Sequence, residues 1–298
     1  MAVTIMRQEV NAAVERPCGD DAQALPLRET EKAEALSFLA QRPLHTVYMA
    51  GLIRDNGVES SLNRGRLYSY RGSRGYLEGI ALLGHATLIE ARTESSLNAF
   101  ARLAQQSSLP YLIRGEEDLV KKFWSQYGKS GKGANRVCRE LLLEQVAVPR
   151  GEEVTGLRRA TLDDLESVVK VNSEMAQAES GCDPLKRDPE GFRARTARRI
   201  SLGRNWIWME NGKLLFKADI IAETPQVIYL EGIYVERAER GKGYGSLGLS
   251  ELGRILLRQA GSICLTLSAG KEKTKNFYSK AGYSLRSYYD TIYLQTAH

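Results

Sequence analysis

"ERAERGKGYGSLGLSELGRILL", residues 236–257, sets Gly241, Gly243, Gly245, Gly248 and Gly253 into one loop and the helix that follows it. Leu249, Leu252 and Leu256 recur at helical spacing, so the later part carries one apolar face. Glycines massed before a helix start let the backbone turn its N–H groups toward one point, and the helix end adds partial positive charge there. The stretch therefore reads as a backbone cradle for phosphate. What flanks it decides which kind.

Upstream, VIYLEGIYV (227–235) is rich in β-branched and aromatic residues and reads as a strand that ends about five residues before Arg240. Downstream, the pattern predicts a buried strand over 262–269, a helix over 272–280 and one or two Tyr-rich closing strands over 283–294. Before it lie a short strand at 157–159 and a helix to about 177, opened by a Thr161/Asp164 capping box. A loop over 178–191 and an arginine-rich helix, FRARTARRI, come next. Strands at 206–210 and 213–223 are joined by an Asn211-Gly212 hairpin turn.

Three phosphate loops compete. The nucleoside-triphosphate pattern GxxxxGK[ST] fits neither this stretch nor YGKSGKG (127–133). The dinucleotide pattern GxGxxG occurs at 243–248, but it needs a strand running straight into the turn and an acid about 20 residues on. The strand ends eight residues too early, and the strand at 262–269 ends without an acid. The third pattern, [RQ]xxGx[GA], fits Arg240-Gly241-Lys242-Gly243-Tyr244-Gly245 in its expected place between strand and helix.

Together with FYSKAGY (277–283), this arrangement resembles the GNAT N-acetyltransferase superfamily over about 156–294. The resemblance implies acetyl-CoA as co-substrate. Its pyrophosphate would lie on the amides of Gly241, Gly243, Tyr244, Gly245 and Ser246, with Arg240 and Lys242 as counter-charge. Backbone groups of Ile233, Tyr234 and Val235 would pair with the pantetheine arm, and one N–H would polarise the acetyl carbonyl. Tyr278 matches the family's general-acid tyrosine; a packed aromatic on a helix face is the competing reading. Glu231 is the candidate base, expected on one face with Ile233 and Val235 by strand alternation, and Asp219 and Glu223 are its rivals. Where the family commonly has an asparagine seven residues before the tyrosine, this chain has Lys271, read either as a phosphate contact or as a solvated lysine.

The first half echoes this order: a helix over 30–41, strands at 66–71, 76–85 and 87–91, and a helix over 95–106. YLEGI occurs at 76–80 and 229–233, offset by 153, and KKFWSQYG (121–128) parallels KNFYSKAG (275–282), offset by 154. Two matches at nearly one offset point to internal duplication. In the first copy the glycine loop maps near 86–92, which has no glycine, and Tyr278 maps to Trp124, whose indole supplies no such proton. Two halves with the second active resemble the tandem arrangement of that superfamily, with a degenerate N-terminal copy.

The remaining features fit this frame. Length supports two domains, 1–148 and 149–298, divided at the Pro/Gly/charge break 146–156. Each is expected to be an α/β unit of α+β type, a mixed, mostly antiparallel sheet flanked by helices. Cys18, Cys138, Cys182 and Cys264 share no metal-ligand spacing with His45, His85 and His298, so neither metal nor disulfide is expected. No apolar run reaches signal-peptide or membrane-span length, which predicts a cytoplasmic protein. A net charge of +6 suits an anionic partner. The Tyr/Arg hairpin at 64–76 has the composition of a nucleic-acid stacking surface, but alternation at a hairpin reads better as a half-exposed strand. The acceptor implied is a primary amine of a small molecule or peptide; a homodimer stays open, and no membrane or nucleic-acid partner is expected. The alternative functions are a non-catalytic coenzyme A-binding sensor and a nicotinamide-dinucleotide oxidoreductase.

Overall fold

The computed structural model describes residues 23–107, 110–149 and 153–295, apart from the Ser180 side chain. Residues 1–22 with Cys18, His298, and part of the expected boundary at 150–152 lie outside the described residues. The first half runs β1 (Leu25–Pro26), α1 (Lys32–Leu39), α2 (Pro43–Asn56), β2 (Gly65–Arg71), β3 (Leu77–Gly84), β4 (Ala86–Ala91), α3 (Glu94–Gln105), β5 (Leu112–Glu116), α4 (Glu117–Tyr127) and β6 (Ala134–Gln145). The second runs β7 (Leu157–Arg159), α5 (Leu165–Ser180), α6 (Pro184–Arg187), α7 (Pro189–Ser201), β8 (Asn205–Glu210), β9 (Lys213–Glu223), β10 (Val227–Val235), α8 (Tyr244–Leu256), β11 (Ser262–Ser268), α9 (Glu272–Lys280) and β12 (Ser284–Leu294).

Local chemistry sets many of these limits. The Thr161/Asp164 capping box forms as expected. Asn211 at φ 48° and Gly212 at φ 73° make the tight turn between β8 and β9. Helix α2 opens on Pro43, whose missing N–H costs nothing at a first turn, and closes on Gly57. Periodicity did not announce α2, whose side chains are apolar around much of its circumference because it is covered on several sides. The segment 178–191, expected to be loop, holds α6 and the first turn of α7, each opened by an aspartate cap and a proline.

Among the described residues the twelve strands form one sheet in the order β1-β2-β3-β4-β5-β12-β6-β11-β10-β9-β8-β7. Only β4–β5 and β10–β11 are parallel; the remaining pairs are antiparallel. At the centre the halves trade their last strands. β6 pairs with β11, β12 pairs with β5, and the two pair with each other.

Alternation along β6 separates the two faces. Leu141 and Leu143 pack with α8 and α9 through Leu249, Leu252, Leu256 and Tyr278. Leu142 packs oppositely, with Val47 of α2 and with Tyr229 and Cys264. Helices α3, α4, α8 and α9 thus cover the front face, while α1, α2, α5 and α7 cover the back. Leu249, Leu252 and Leu256 are fully buried, each worth roughly 1.5–3 kcal/mol of apolar transfer. Helix α2 crosses the seam and lies on β9, where a Cβ on Gly51 would meet that of Ala222 at 2.6 Å.

The sequence repeats map unevenly on this frame. KKFWSQYG and KNFYSKAG fall on α4 and α9, which occupy equivalent places. YLEGI falls on β3 in the first half but on β10 in the second, and the counterpart of β10 in chain order is β4. That pentamer therefore marks non-equivalent strands. The counterpart of the glycine loop is the connection Arg92-Thr93 between β4 and α3, too short to enclose a phosphate and without glycine.

Candidate active site

Strands β10 and β11 run parallel and pair only from Val227–Ser262 to Leu230–Leu265. Beyond that point β11 pairs with β6 alone and β10 with β9 alone, so the two diverge inside the sheet. The edge of β10 from Glu231 to Val235 that faces β11 is left without strand partners, ready to accept an extended ligand as one more strand. Ile233, Tyr234 and Val235 all lie on it.

The glycine loop follows directly. Gly241 and Gly243 adopt φ 82° and 94°, and a Cβ on either would meet nothing within 4 Å. Gly243 is the N-cap of α8. The amides of Gly241, Gly243, Tyr244, Gly245 and Ser246 have no backbone acceptor among the described residues, while Leu247 N–H donates to the Gly243 carbonyl. The other three glycines do different work. A Cβ on Gly245 would press on Val235 and Phe277 at 3.0 and 3.3 Å, one on Gly248 would enter the Phe216 ring at 2.7 Å, and one on Gly253 would reach Gln145 at 2.8 Å. Two glycines shape the cradle and three seat the helix against the sheet.

The cationic side chains are tethered locally. Arg240 Nε donates to the Val235 carbonyl at 3.1 Å, and Lys242 Nζ pairs with Glu239 at 2.9 Å. Both side chains are exposed at the loop rim. Lys271 is the exposed N-cap residue of α9.

Tyr278 points into the front-face core between Phe277 and Tyr283. Its hydroxyl makes no hydrogen bond with the described residues, and burial pushes its phenol up to about 12. It remains protonated at neutral pH and has a proton to give.

Glu231 departs from its expected direction. Opposite β9, Glu231 pairs with Asp219 and Tyr234 with Lys217, so β10 carries one extra residue there. Gly232, at φ 61°, forms this bulge. Strand alternation breaks at it. Tyr229 and Glu231 face back, whereas Ile233 and Val235 face front into the core with α8. Glu231 therefore does not share a face with Ile233 and Val235; it lies on the face of the sheet opposite Tyr278.

Beneath the bulge sits a polar cluster that the sequence reading placed only as a rival base. Asp219 Oδ2 accepts from Lys217 Nζ at 2.5 Å and Oδ1 accepts from Asn205 Nδ2 at 2.6 Å. Lys217 and Asn205 are fully buried, and burial lowers the Lys217 ammonium from its usual range. With both oxygens occupied, Asp219 is a structural anion. The side chain of Glu231 is 45 % exposed, so of the two carboxylates it is the one open to an incoming molecule.

The Tyr229 hydroxyl donates to Glu231 Oε1 at 2.6 Å. Burial, followed by the nearby Glu231 charge, holds that phenol well above its ordinary value, so it stays the donor. Arg114, on β5 of the first half, reaches the same spot across the back face. Its Nη2 donates to Tyr229 Oη at 3.2 Å and to Thr266 Oγ1 at 2.6 Å. Sequence reading missed Arg114 entirely; an arginine within the strand LIRGE was the only signal it offered.

The first half's own splay is different. Strands β4 and β5 pair from Ala86–Leu112 to Leu88–Arg114 and then part. Across that opening Arg42 binds Glu90 at 3.4 Å and Glu116 at 2.5 Å. A cavity of about 60 Å³ remains under α2, reaching from this clamp to Tyr229, Cys264 and Thr266. Among the described residues no group of His, Cys, Asp and Glu could hold a metal ion, and no helix is long and apolar enough to cross a membrane.

Comparison with known proteins bears on the fold. Residues 172–283 match the model of the acetyltransferase (GNAT) family. No curated protein matches the chain by sequence. A GCN5-related N-acetyltransferase from Sphaerobacter thermophilus superposes with a TM-score of 0.60 at 14% identity, covering 92% of this chain and 95% of that one. A tandem GNAT protein from the clavulanic acid biosynthesis pathway gives 0.58 at 12% identity, covering 93% and 99%. An acetyltransferase of the GNAT family from Colwellia psychrerythraea gives 0.54 at 12% identity, covering 87% and 97%. These identities carry likeness of fold, and the fold is that of the GNAT superfamily in tandem arrangement.

Proposed function

We propose that this tandem GNAT-fold chain is an acetyl-CoA-dependent N-acetyltransferase whose second half carries the reaction and whose acceptor is a primary amine of a small molecule or peptide. The observation that carries this reading is the open loop at Gly241 and Gly243, set at the start of α8 beside the unpaired edge of β10. An anion on the loop amides places whatever extends from it along Glu231–Val235.

The residues supply the rest of the chemistry. Acetyl-CoA brings a thioester whose carbonyl carbon accepts the amine. The backbone of Ile233 to Val235 holds the arm, and an N–H at the bulge binds the oxygen on which charge develops. Glu231, entering from the back face, takes the proton that the attacking nitrogen releases, and the new C–N bond forms as the C–S bond breaks. Tyr278, entering from the front, protonates the departing thiolate. Arg240 and Lys242, exposed at the loop rim, and Lys271, exposed at the start of α9, are the residues this reading assigns to the outer phosphates. In the first half, the clamp of Arg42 on Glu90 and Glu116 closes the equivalent opening, which supports a non-catalytic role for that copy.

Thermal shift with coenzyme A against NADP, followed by thiol release from acetyl-CoA with a panel of primary amines, tests the reading. Stabilisation by coenzyme A and amine-dependent thiol release are expected. Stabilisation by NADP alone returns the chain to the oxidoreductases, and coenzyme A binding without turnover makes it a sensor.

A further inference from the structure

Arg114 joins β6, β11 and β10, and it comes from the half that lacks a glycine loop. Its strand, β5, is four places from β10 in the sheet, with β12, β6 and β11 between. The side chain lies along the back face over those strands. Nε and Nη2 donate to the two oxygens of Glu140 on β6 at 3.1 and 3.3 Å, and Nη2 also reaches Thr266 on β11 and Tyr229 on β10. Its Nη1 stands 3.8 Å from Glu231 Oε1. Glu140 is itself steadied by Thr291 of β12 at 2.8 Å.

Two groups therefore meet Glu231, Tyr229 Oη and Arg114, and both meet the same oxygen. That occupancy restrains the carboxylate and leaves Oε2 without a side-chain partner among the described residues. A carboxylate held by one oxygen presents the other in a defined direction, which is what proton removal from an approaching ammonium or amine requires. A flexible glutamate at 45 % exposure would not hold that direction unaided.

We infer that Arg114 of the first half is a positioning residue for Glu231 of the second, so that the degenerate copy completes the active site of the other through the strand exchange at the centre of the sheet. This rests on the reading of Glu231 as the proton acceptor. The exchange is what makes the contact possible: β12 and β6, shared between halves, carry β5 to the same sheet as β10, and Arg114 from one side meets Tyr229 and Glu231 reaching from the other. Arg114→Met removes the contact, Arg114→Lys keeps the charge but cannot bridge Glu140, Thr266 and Tyr229 at once, and Glu140→Gln loosens the arginine without touching it.

The test has a structural arm and a kinetic arm. In a crystal structure of Arg114→Met, the Glu231 carboxylate is expected to leave the Tyr229 hydroxyl and adopt more than one rotamer; Glu140→Gln gives the same readout should Arg114→Met fail to fold. In acetyl transfer to benzylamine, Arg114→Met is expected to lower kcat by about tenfold with KM for acetyl-CoA nearly unchanged, Arg114→Lys by less, and the loss should vanish in a Glu231→Gln background, because the two residues act as a unit. A Glu231 that stays in place in both variants overturns the role given to Arg114, as does an Arg114→Met loss that persists undiminished beside Glu231→Gln. Absence of thiol release with any amine overturns the transferase reading and leaves the structural arm to decide on Arg114.

Discussion

A Cβ on Gly232 would stand 2.5 Å from Asp219 Oδ2, so β10 passes over the buried Lys217–Asp219 pair at a position only glycine fits. The same residue holds φ 61° and supplies the extra place that turns Glu231 to the back face while Ile233 and Val235 face front. One glycine thus sets which side of the sheet each candidate group occupies.

Gly232→Ala is expected to lower thermal stability, with about 1–2 kcal/mol from the left-handed backbone alone and more from the displaced aspartate. Acetyl transfer should fall further than stability explains, because straightening the bulge redirects Glu231. Thermal unfolding beside initial rates separates the two effects. Wild-type rates in a well-folded Gly232→Ala protein would show that the bulge is not needed for turnover.

The glycines of the loop predict opposite outcomes by position. A Cβ at Gly243 meets no neighbour within 4 Å, so the cost of Gly243→Val is expected to fall on the backbone angle and on the phosphate's approach to the amides. Coenzyme A affinity should drop by more than about tenfold, which is about 1.4 kcal/mol, while the sheet core stays packed. Gly248→Ala drives a methyl into the Phe216 ring and should instead cost roughly 1–3 kcal/mol of stability with affinity less affected. Calorimetric titration and thermal unfolding of both variants check the division.

Much of this was legible in the chain. The strands flanking the loop and the helix 272–280 lie where sequence pattern put them, because β10 and β11 are short apolar runs buried on both faces and the helix buries one. The tyrosine helix and its Trp124 counterpart fell on equivalent elements. What periodicity could not show is what depends on partners distant in sequence. Nothing local marks β6 and β12 as exchanged strands, since a strand's pattern records which faces are buried and not by whom. The bulge at Gly232 hid for a related reason: its glycine answers to Asp219, a residue of the neighbouring strand. Arg114 and Lys217 look like polar interruptions in apolar strands until the sheet brings Glu140, Tyr229 and Asp219 to them.

Asp164 gives the second half an acid-sensitive contact remote from the cleft. Arg158 donates to both its oxygens at 2.7 and 2.9 Å, and Thr161 N–H adds a third bond at 2.8 Å. The Arg158 guanidinium first, then the Thr161 bonds, hold the carboxyl at about 2, below its unfolded value near 3.9. A carboxyl depressed on folding stabilises fully above its unfolded pKa and loses that contribution as pH falls through the folded one. Unfolding free energy should therefore decline between about pH 4 and pH 2, and Asp164→Asn should flatten that part of the curve. Denaturant titrations at stepped pH measure it; parallel curves for the two proteins would remove Asp164 from the acid response.

Tyr278 carries the sharpest kinetic prediction. Its phenol lies in the front-face core, has no protein partner for its hydroxyl among the described residues, and is raised by burial to about 12. A group raised that far keeps its proton throughout the neutral and mildly alkaline range, so it contributes no alkaline decline to kcat below about pH 10. Tyr278→Phe keeps the ring between Phe277 and Tyr283 and removes only the hydroxyl, so coenzyme A affinity and thermal stability should stay close to wild type. Its kcat should fall by about 10²-fold, the lower end of what a positioned proton donor supplies. The loss should shrink with an acyl donor whose thiol has a lower pKa, because a better leaving group has less need of the proton. A Tyr278→Phe enzyme with an undiminished kcat, or a loss equal for both donors, would assign the tyrosine to packing alone.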